Sequence, residues 1–298
     1  MPSRQFWAAS GLLLSSLLWA GNALVGRAVA GDVPPMALAF WRWVLALSIL
    51  LPFVAATLWR HRQALLRAGW RWPVIAALGI GAYNSLLYTA AKSTTAINIT
   101  LLNTCIPLAT FVFAGLLLKQ WPPRRAWLGM GIAAAGMLVL ITQASLGNLL
   151  GLSFNPGDMV MILAVLAWAL YTVLLRRWAC WFPLPPLALL GAFVLLGVPI
   201  ILPFYLLEYA QVGGFELNAG SLGAIAYTAI PASLIAYVAW NQGVKIIGAA
   251  KASLALFSMP VFAAVLAYVL LGETLQGFHW AGGALIFGGL LFAMRPSR

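Results

Sequence analysis

Long apolar stretches follow one another through this chain of 298 residues, and charged side chains are almost confined to the short segments between them. Hydrophobic residues make up 63% of the sequence and charged residues only 7%, a balance that a water-soluble domain could carry only with a very large exposed apolar surface. The solvent is therefore lipid. Because a hydrocarbon core about 30 Å thick takes roughly 20 apolar residues per helix, the length allows about ten spans.

Charged, proline and glycine residues set the predicted boundaries of these spans. The first stretch is interpreted as a span rather than a cleaved signal peptide, because it is long, contains tryptophan and continues into further apolar sequence. The ten predicted spans are 6–30, 36–59, 72–91, 96–118, 126–143, 156–175, 185–207, 219–244, 249–271 and 278–294.

Basic and acidic residues lie at opposite ends of the predicted spans. With the N-terminus in the cytoplasm, all basic residues except Arg27, Arg42 and Lys92 fall on the cytoplasmic side, and all five acidic residues cap the other ends. The positive-inside rule favours this orientation, which predicts a multi-pass protein of the cell inner membrane with both termini in the cytoplasm. Topology, rather than nucleic-acid binding, then explains the net charge of +12.

The two halves of the chain repeat the same landmarks in the same order. An offset of 149 aligns Trp19 with Trp168, and an offset of 151 aligns residues 51–53 with 202–204, both Leu-Pro-Phe. An offset of 153 aligns three spans of each half through Lys92 and Lys245, Pro107 and Pro260, Trp127 and Trp280, Gly129 and Gly282, and Gly136 and Gly289.

Because each half has an odd number of spans, the second half must enter the membrane from the opposite face. The predicted fold class is an all-α polytopic membrane protein, with ten transmembrane helices arranged as two inverted five-helix repeats around a central cavity. The predicted repeats are residues 6–143 and 156–294. Inverted repeats are typical of secondary transporters, which hold their substrate near the midplane between the halves.

These residues resemble the drug/metabolite transporter superfamily, in particular its EamA-type branch. The likeness covers nearly the whole chain and is carried by Trp19-Ala-Gly-Asn22, Pro34-Pro35 and Arg42 in the first half, and by the stretch from Pro260 to Gly-Glu273-Thr with Trp280-Ala-Gly-Gly in the second. The fourth-helix turn departs from the family pattern, with Lys119-Gln120 where Gly-Glu is common. The resemblance implies a central cavity lined by helices 1 to 4 and 6 to 9, and it is closest to bacterial exporters of aromatic and other neutral amino acids.

Polar and aromatic residues recur at helical spacing in the spans expected to line this cavity. Asn84 and Tyr88 share one face of span three, and the repeat aligns them with Tyr237 and Asn241 of span eight. Amides are costly in lipid unless paired, so they favour the bundle interior, either as a substrate pocket or as interhelical hydrogen bonds. The full set of predicted substrate-binding residues is Trp19, Asn22, Tyr83, Asn84, Tyr88, Asn103, Trp168, Tyr171, Tyr237, Trp240 and Asn241.

Two prolines, Pro107 and Pro260, lie near the middle of spans four and nine. Each removes one helical hydrogen bond and leaves the carbonyl four residues earlier, that of Asn103 or Leu256, without its partner. Their equivalent placement predicts a hinge or gate that offers carbonyl groups to a substrate ammonium. A kink satisfied by neighbouring helices is the alternative.

Charge in the spans is scarce, since the sequence puts no Asp or Glu in the middle of a span. This argues against a carboxylate proton relay. The carboxylate of a zwitterionic cargo would bind helix N-termini, Asn or a cation near the mouth, for which Arg42 and Lys92 are available on the outer side and Lys245 on the cytoplasmic side. The alternative for these cations is contact with lipid headgroups or pairing with Asp32.

The predicted function is therefore a secondary-type carrier that exports small organic metabolites, mainly aromatic and other neutral amino acids, by alternating access. Multidrug, nucleoside or other metabolite transport is the alternative within this fold. A membrane enzyme is disfavoured by the lack of a catalytic constellation, and no cofactor, metal ion or catalytic residue is expected. The expected partners are the bilayer and the cargo, with a homodimer left open through small residues of spans five and ten.

Overall fold

The computed structural model describes residues 4–91, 93–145, 147, 150, 155–271 and 274–294, and the elements in these ranges are helical. Nine of the described helices are long and apolar enough to cross a membrane, and Gly277–Ala293 is a further, shorter apolar helix. The predicted all-α architecture of ten spans is thus confirmed. We number the ten helices α1 to α10 in chain order.

Six helices are continuous and four are interrupted. The continuous helices are α1 (Arg4–Ala28), α2 (Pro35–Arg60), α5 (Arg124–Ile141), α6 (Pro156–Arg177), α7 (Pro186–Val212) and α10 (Gly277–Met294). The interrupted ones are α3 (Arg71–Ala76, a π-helical segment Ala77–Ala82, Tyr83–Ala91), α4 (Ala96–Asn103, Cys105–Leu118), α8 (Ala219–Ala229, a π-helical segment Ile230–Ile235, Ala236–Ile247) and α9 (Ala249–Leu254, a 3-10 segment Ala255–Ser258, Met259–Leu271).

One predicted boundary is wrong, because α7 continues five residues past the expected end at Leu207. Glu208 explains the extension. Its side chain is only 6% exposed, and its carboxylate accepts the backbone N–H groups of Met36 and Ala37 at 2.7 and 3.0 Å. These groups begin α2, where N–H groups lack helical partners, so a carboxylate is held there as a cap supplied by another helix.

The second and seventh helices pack antiparallel. Phe40, near the start of α2, stacks on Tyr205 near the end of α7, with ring centroids 4.7 Å apart. At the other end of the pair, Val54 of α2 lies against Gly191 of α7, where a Cβ would come within 2.8 Å of Val54 Cγ2. The offset of 151 aligns Phe40 with Gly191 and Val54 with Tyr205, so each contact is the repeat copy of the other. This reciprocity is expected of two copies related by a two-fold axis.

The fifth and tenth helices show the same reciprocity. A Cβ on Gly129 would lie 2.6 Å from the carbonyl oxygen of Gly289, and a Cβ on Gly136 would lie 2.6 Å from that of Gly282. The residue number rises along α5 as it falls along α10, so the two helices are antiparallel. Equivalent helices running in opposite directions make the second half an inverted copy of the first, and the small residues serve close packing inside one chain.

Irregular helix geometry also falls at repeated positions. The π-helical segments of α3 and α8 start at Ala77 and Ile230, which the offset of 153 aligns. The break of α4 at Thr104 aligns with the 3-10 segment of α9. Between the halves, α1 packs on the last part of α8, and α6 packs on the last part of α3. Because α1 is equivalent to α6 and α3 to α8, these two contacts are repeat copies of each other.

The two ends of the bundle differ in charge. We call the end that holds Arg4, Arg60, Arg71, Arg177 and Lys245 the basic end, and the end that holds Asp32, Asp158 and Glu208 the acidic end. Arginines cap helix ends at the basic end, where Arg176 donates to the carbonyl of Lys245 and Arg177 to that of Leu117. Both are favourable, since the C-terminal carbonyls of a helix attract cations.

Candidate functional site

Aromatic side chains from both halves form one buried cluster deep in the bundle. The rings of Trp19 and Trp240 have centroids 5.3 Å apart, those of Trp168 and Trp240 5.7 Å, and those of Trp168 and Tyr237 5.6 Å. These contacts are tilted or edge-to-face, as the quadrupoles of aromatic rings prefer. We call the set the aromatic cluster, and its members are Trp19, Trp43, Tyr83, Trp168, Tyr171, Tyr237 and Trp240. All but Trp43 are among the predicted substrate-binding residues.

The two π-helical segments orient this cluster through backbone carbonyls. The indole N–H of Trp19 donates to the carbonyl of Ala232 at 2.9 Å, and the hydroxyl of Tyr237 donates to the carbonyl of Gly79 at 2.9 Å. The offset of 153 aligns Gly79 with Ala232. Each half therefore supplies an equivalent carbonyl to an aromatic side chain, and π-helical turns are often found at such functional positions.

A polar group lies on the acidic side of the aromatic cluster. We call it the Arg42 group, made of Arg42, Asn84, Tyr88 and Ser233. The guanidinium donates to Ser233 Oγ from Nε at 3.0 Å and from Nη2 at 2.8 Å, and Nη1 reaches Asn84 Oδ1 at 3.3 Å and Tyr88 OH at 3.5 Å. The group joins α2 and α3 of the first half to the π-helical segment of α8.

The expected position of Arg42 at the mouth is corrected by this geometry. Its side chain is 1% exposed, and its donors face Ser233, Asn84 and Tyr88 rather than Asp32 or the surface. Arg42 is seven residues inside α2, about 10 Å from the first residue of that helix. The other outer cation, Lys92, lies outside the described residues.

A second polar group lies on the basic side of the cluster. The hydroxyl of Tyr171 donates to Asn241 Oδ1 at 2.8 Å. Asn241, Gln242 and Lys245 line a cavity of about 30 Å³, room for one or two waters. Gln242 also lines a groove of about 530 Å³ between α1 and α8, which Arg4 and Trp7 border at the basic end. Lys245, the predicted mouth cation of this side, is exposed there.

Several buried polar atoms at these groups have no hydrogen-bond partner among the described residues. They include the donors Trp43 Nε1, Trp240 Nε1 and Asn241 Nδ2, and the acceptor Asn22 Oδ1. Trp43 and Trp240 are fully buried, and Asn241 is 3% exposed. Because an unpaired buried polar group costs free energy, such a set marks a place where a ligand or water supplies the missing bonds.

The remaining predicted residues lie beside this centre. Asn103 accepts the hydroxyl of Tyr83 at 2.9 Å through Oδ1. Pro107 is buried just after the break of α4, and Pro260 follows the 3-10 segment of α9. Near the second break, Ser16 of α1 donates to the carbonyl of Ala255 at 2.9 Å, so a neighbouring helix satisfies that carbonyl. Whether the breaks act as hinges stays a prediction.

At the acidic end, a buried carboxylate joins α6 to the turn before α4 and to α4 itself. Asp158 is 2% exposed and accepts the hydroxyl of Thr94, the Asn98 side-chain N–H at 2.9 Å and the Asn155 backbone N–H at 2.8 Å. The last bond belongs to the capping box that starts α6. These contacts, which we call the Asp158 latch, join the two halves at this end.

Sequence reasoning missed Trp43, Ser233 and Gln242. Ser233 carried a usable signal, since it lies one helical turn before Tyr237 and two residues after Pro231, a sign of irregular helix geometry. Trp43 follows Arg42 and gave no periodic signal of its own. Among the described residues no group of three or more His, Cys, Asp or Glu side chains could hold a metal ion.

The chain matches one family profile twice and is similar in sequence to several transporters. The profile of the EamA-like transporter family matches residues 6–142 and again residues 155–295. The chain is 29% identical over 283 residues to the transporter YyaM of Bacillus subtilis, covering 95% of this chain and 92% of that relative. It is 27% identical over 303 residues to the inner membrane transporter YedA of Escherichia coli (strain K12), covering 99% and 93%.

A solved structure has the same fold. A crystal structure of a protein 23% identical in sequence superposes with a TM-score of 0.76, covering 96% of this chain and 96% of the other. At this identity the likeness concerns the fold alone, so the site rests on the contacts described above.

Proposed function

The chain belongs to the EamA-like transporter family, and from that premise we propose that this multi-pass membrane transporter exports aromatic and other neutral amino acids by alternating access. The observation that carries the proposal is the aromatic cluster between the halves, with unpaired donors at Trp43, Trp240 and Asn241. Apolar pockets with a few placed polar groups are typical of small-molecule sites.

The chemistry of the cluster suits each part of an aromatic amino acid. Indole and phenol faces stack on an aromatic side chain and attract an ammonium group by cation–π interaction. The unpaired indole and amide N–H groups would donate to polar atoms of the cargo, and Asn22 Oδ1 would accept from the ammonium. Because the rings now pack against one another, a cargo can enter only when the cluster parts.

The two ends of the bundle support a carrier cycle with a defined direction. In this cycle the Asp158 latch would hold the acidic end closed, and the small cavity lined by Asn241 lies on the basic side of the cluster. Under the positive-inside rule the basic end faces the cytoplasm, so cargo would enter from the cytoplasm and leave when the latch opens. Pro107 and Pro260 are the hinges in this cycle, since both follow helix breaks.

The test is uptake into proteoliposomes with a panel of labelled amino acids, nucleosides and cationic drugs, with and without a pH gradient. We expect saturable transport of phenylalanine, tryptophan or other neutral amino acids, and counterflow that distinguishes a carrier from a channel. Transport of nucleosides or drugs in their place would replace the amino-acid assignment. Conduction that does not saturate would contradict alternating access.

Site variants test where the cargo binds. Tyr88→Phe, Trp240→Phe and Asn241→Ala should weaken transport while the amount of folded protein is unchanged. Trp280→Phe is the matched control, because Trp280 is 69% exposed on α10. Wild-type transport by all three site variants would contradict the assignment of the pocket, whatever the cargo.

A further inference from the structure

Arg42 is a cation enclosed by protein within a membrane-spanning helix. It is 1% exposed, and its guanidinium carbon lies 5.1 Å from the ring centroid of Trp43. Ionisable side chains inside a membrane protein are costly, and they commonly mark a substrate or ion pathway. Arg42 therefore requires an explanation beyond contact with lipid headgroups.

The partners of this cation are all neutral. They are the hydroxyls of Ser233 and Tyr88 and the amide oxygen of Asn84. The acidic residues of the described chain serve other groups or face outward: Asp158 forms the latch, Glu208 caps α2, and Asp32 and Glu216 are exposed. A buried charge is stable only when it is compensated, so the Arg42 group lacks a counter-charge within the part of the chain that the structure describes.

The hydrogen bonds of Arg42 are unevenly satisfied. Ser233 holds one edge of the guanidinium at 2.8 and 3.0 Å, and its own hydroxyl donates to the Thr228 carbonyl at 2.8 Å, which orients its lone pairs toward Arg42. Nη1 makes only long contacts, at 3.3 and 3.5 Å. Charge-assisted bonds to a carboxylate are shorter, about 2.7–2.9 Å, so an anion would displace Asn84 and Tyr88 from Nη1.

The repeat shows that packing at this position does not require a cation. The offset of 151 aligns Arg42 with Phe193 of α7, which is fully buried and packs edge-to-face on Phe182 with centroids 5.4 Å apart. An aromatic hydrocarbon ring thus fills the equivalent space in the second half. The cation belongs to one half only, next to the aromatic cluster.

From these observations we infer that Arg42 is the carboxylate receptor of the transport site, and that a carboxylate is what makes a molecule a cargo. The inference deepens the proposed function and rests on it for the location of the site. The cargo carboxylate binds Nη1 of Arg42, and its side chain lies among the rings of the aromatic cluster. An amine that lacks a carboxylate is repelled by the guanidinium and cannot accept hydrogen bonds from its N–H groups.

A matched ligand series tests this in the full-length protein. L-phenylalanine carries both charges, 3-phenylpropionate only the carboxylate and phenethylamine only the ammonium. Binding is measured by ligand-induced shifts in the melting temperature of the purified protein and by competition in proteoliposomes. We expect L-phenylalanine and 3-phenylpropionate to bind the wild-type protein, and phenethylamine to bind at least about tenfold more weakly, as expected for the loss of a charge-assisted pair.

Variants of Arg42 separate ligand binding from a structural role. Arg42→Gln should weaken both carboxylates about tenfold or more, and leave the weak binding of phenethylamine unchanged or improved. Arg42→Lys keeps the charge but loses the planar donor pair, so an intermediate loss is expected. Arg60→Gln, at the exposed end of the same helix, is the control and should match the wild type.

Each outcome supports or overturns the assignment of Arg42 as the carboxylate receptor. Equal binding of phenethylamine and the carboxylates by the wild-type protein overturns the inference without use of any variant, and so does failure of every carboxylate to bind. A loss in Arg42→Gln or Arg42→Lys that is equal for all three ligands also overturns it, because that is the signature of a structural role. Binding of 3-phenylpropionate that depends on Arg42, with no transport of any amino acid, would support the carboxylate receptor and refute the proposed cargo.

Discussion

Trp19 packs edge-to-face on Trp168, with ring centroids 5.2 Å apart and ring planes at 89°, and the two tryptophans occupy the same position in the two halves. A residue can contact its own repeat copy only where the axis that relates the halves passes close to both. The aromatic cluster therefore surrounds that axis. In transporters built from inverted repeats, the substrate site typically lies near the midplane at the interface between the repeats.

The first prediction concerns these two tryptophans. Trp168→Phe keeps an aromatic ring but reduces its area, so affinity for aromatic amino acids should fall about two- to tenfold. Trp19→Phe should lose more, since it also removes the hydrogen bond to the Ala232 carbonyl. Competition assays in proteoliposomes measure both, and unchanged affinity in the two variants would place the cargo elsewhere.

The second prediction concerns the contact of α5 with α10. A Cβ on Gly129 would lie 2.6 Å from a backbone oxygen of α10, whereas one on Gly131 would meet nothing within 4 Å. Gly129→Ala should destabilise the protein by about 1–3 kcal/mol, because the helices must separate. Gly131→Ala should be neutral or stabilise by up to about 1 kcal/mol through helix propensity. Unfolding of the purified protein in detergent compares the pair, and equal effects would contradict the close packing.

The third prediction concerns the Asp158 latch. In Asp158→Asn a neutral amide replaces an acceptor that takes donors from Thr94, Asn98 and Asn155, so at least one donor loses its partner. A loss of about 1–3 kcal/mol in stability and faster amide exchange in the first turn of α6 are expected. Asp32→Asn, an exposed acid at the same end, serves as the control. Slow exchange retained in Asp158→Asn would show that the latch does not hold this end closed.

The fourth prediction concerns orientation. After Cys105 and Cys180 are replaced by serine, a cysteine at Leu217, 70% exposed at the acidic end, should react with an impermeant maleimide in intact cells. A cysteine at Leu66, 71% exposed at the basic end, should react only after permeabilisation. The reverse pattern would place the basic end outside and would reverse the proposed direction of transport.

The spans could be predicted from the sequence because each depends on the hydropathy and charge of its own segment. Most predicted boundaries lie within a few residues of the observed helix ends, and the exception at α7 arose from a distant contact. Glu208 looked like a helix end because acids are rare inside spans. It is tolerated because the first turn of α2, more than 170 residues earlier in the chain, supplies its donors at Met36 and Ala37.

The site was only partly open to prediction. Helical spacing and the repeat identified Trp19, Trp168, Tyr237 and Trp240, which the structure brings together. The same reasoning left Arg42 at the mouth, since a span-end cation usually reaches toward headgroups. Its guanidinium is held by Ser233 in the π-helical segment of α8, and although Pro231 indicates irregular helix geometry there, it does not show which side chain will face Arg42.

The sequence by itself determined that this chain spans a membrane about ten times, with basic and acidic ends and two opposed halves. This follows because in lipid every span must satisfy its own backbone hydrogen bonds, and charges stay near water or a partner. Only the tertiary structure decided which side chains meet: the two tryptophans on the axis, the paired glycines, and Arg42 among neutral partners. Those contacts depend on how ten helices rotate and pack against one another, which no single span encodes.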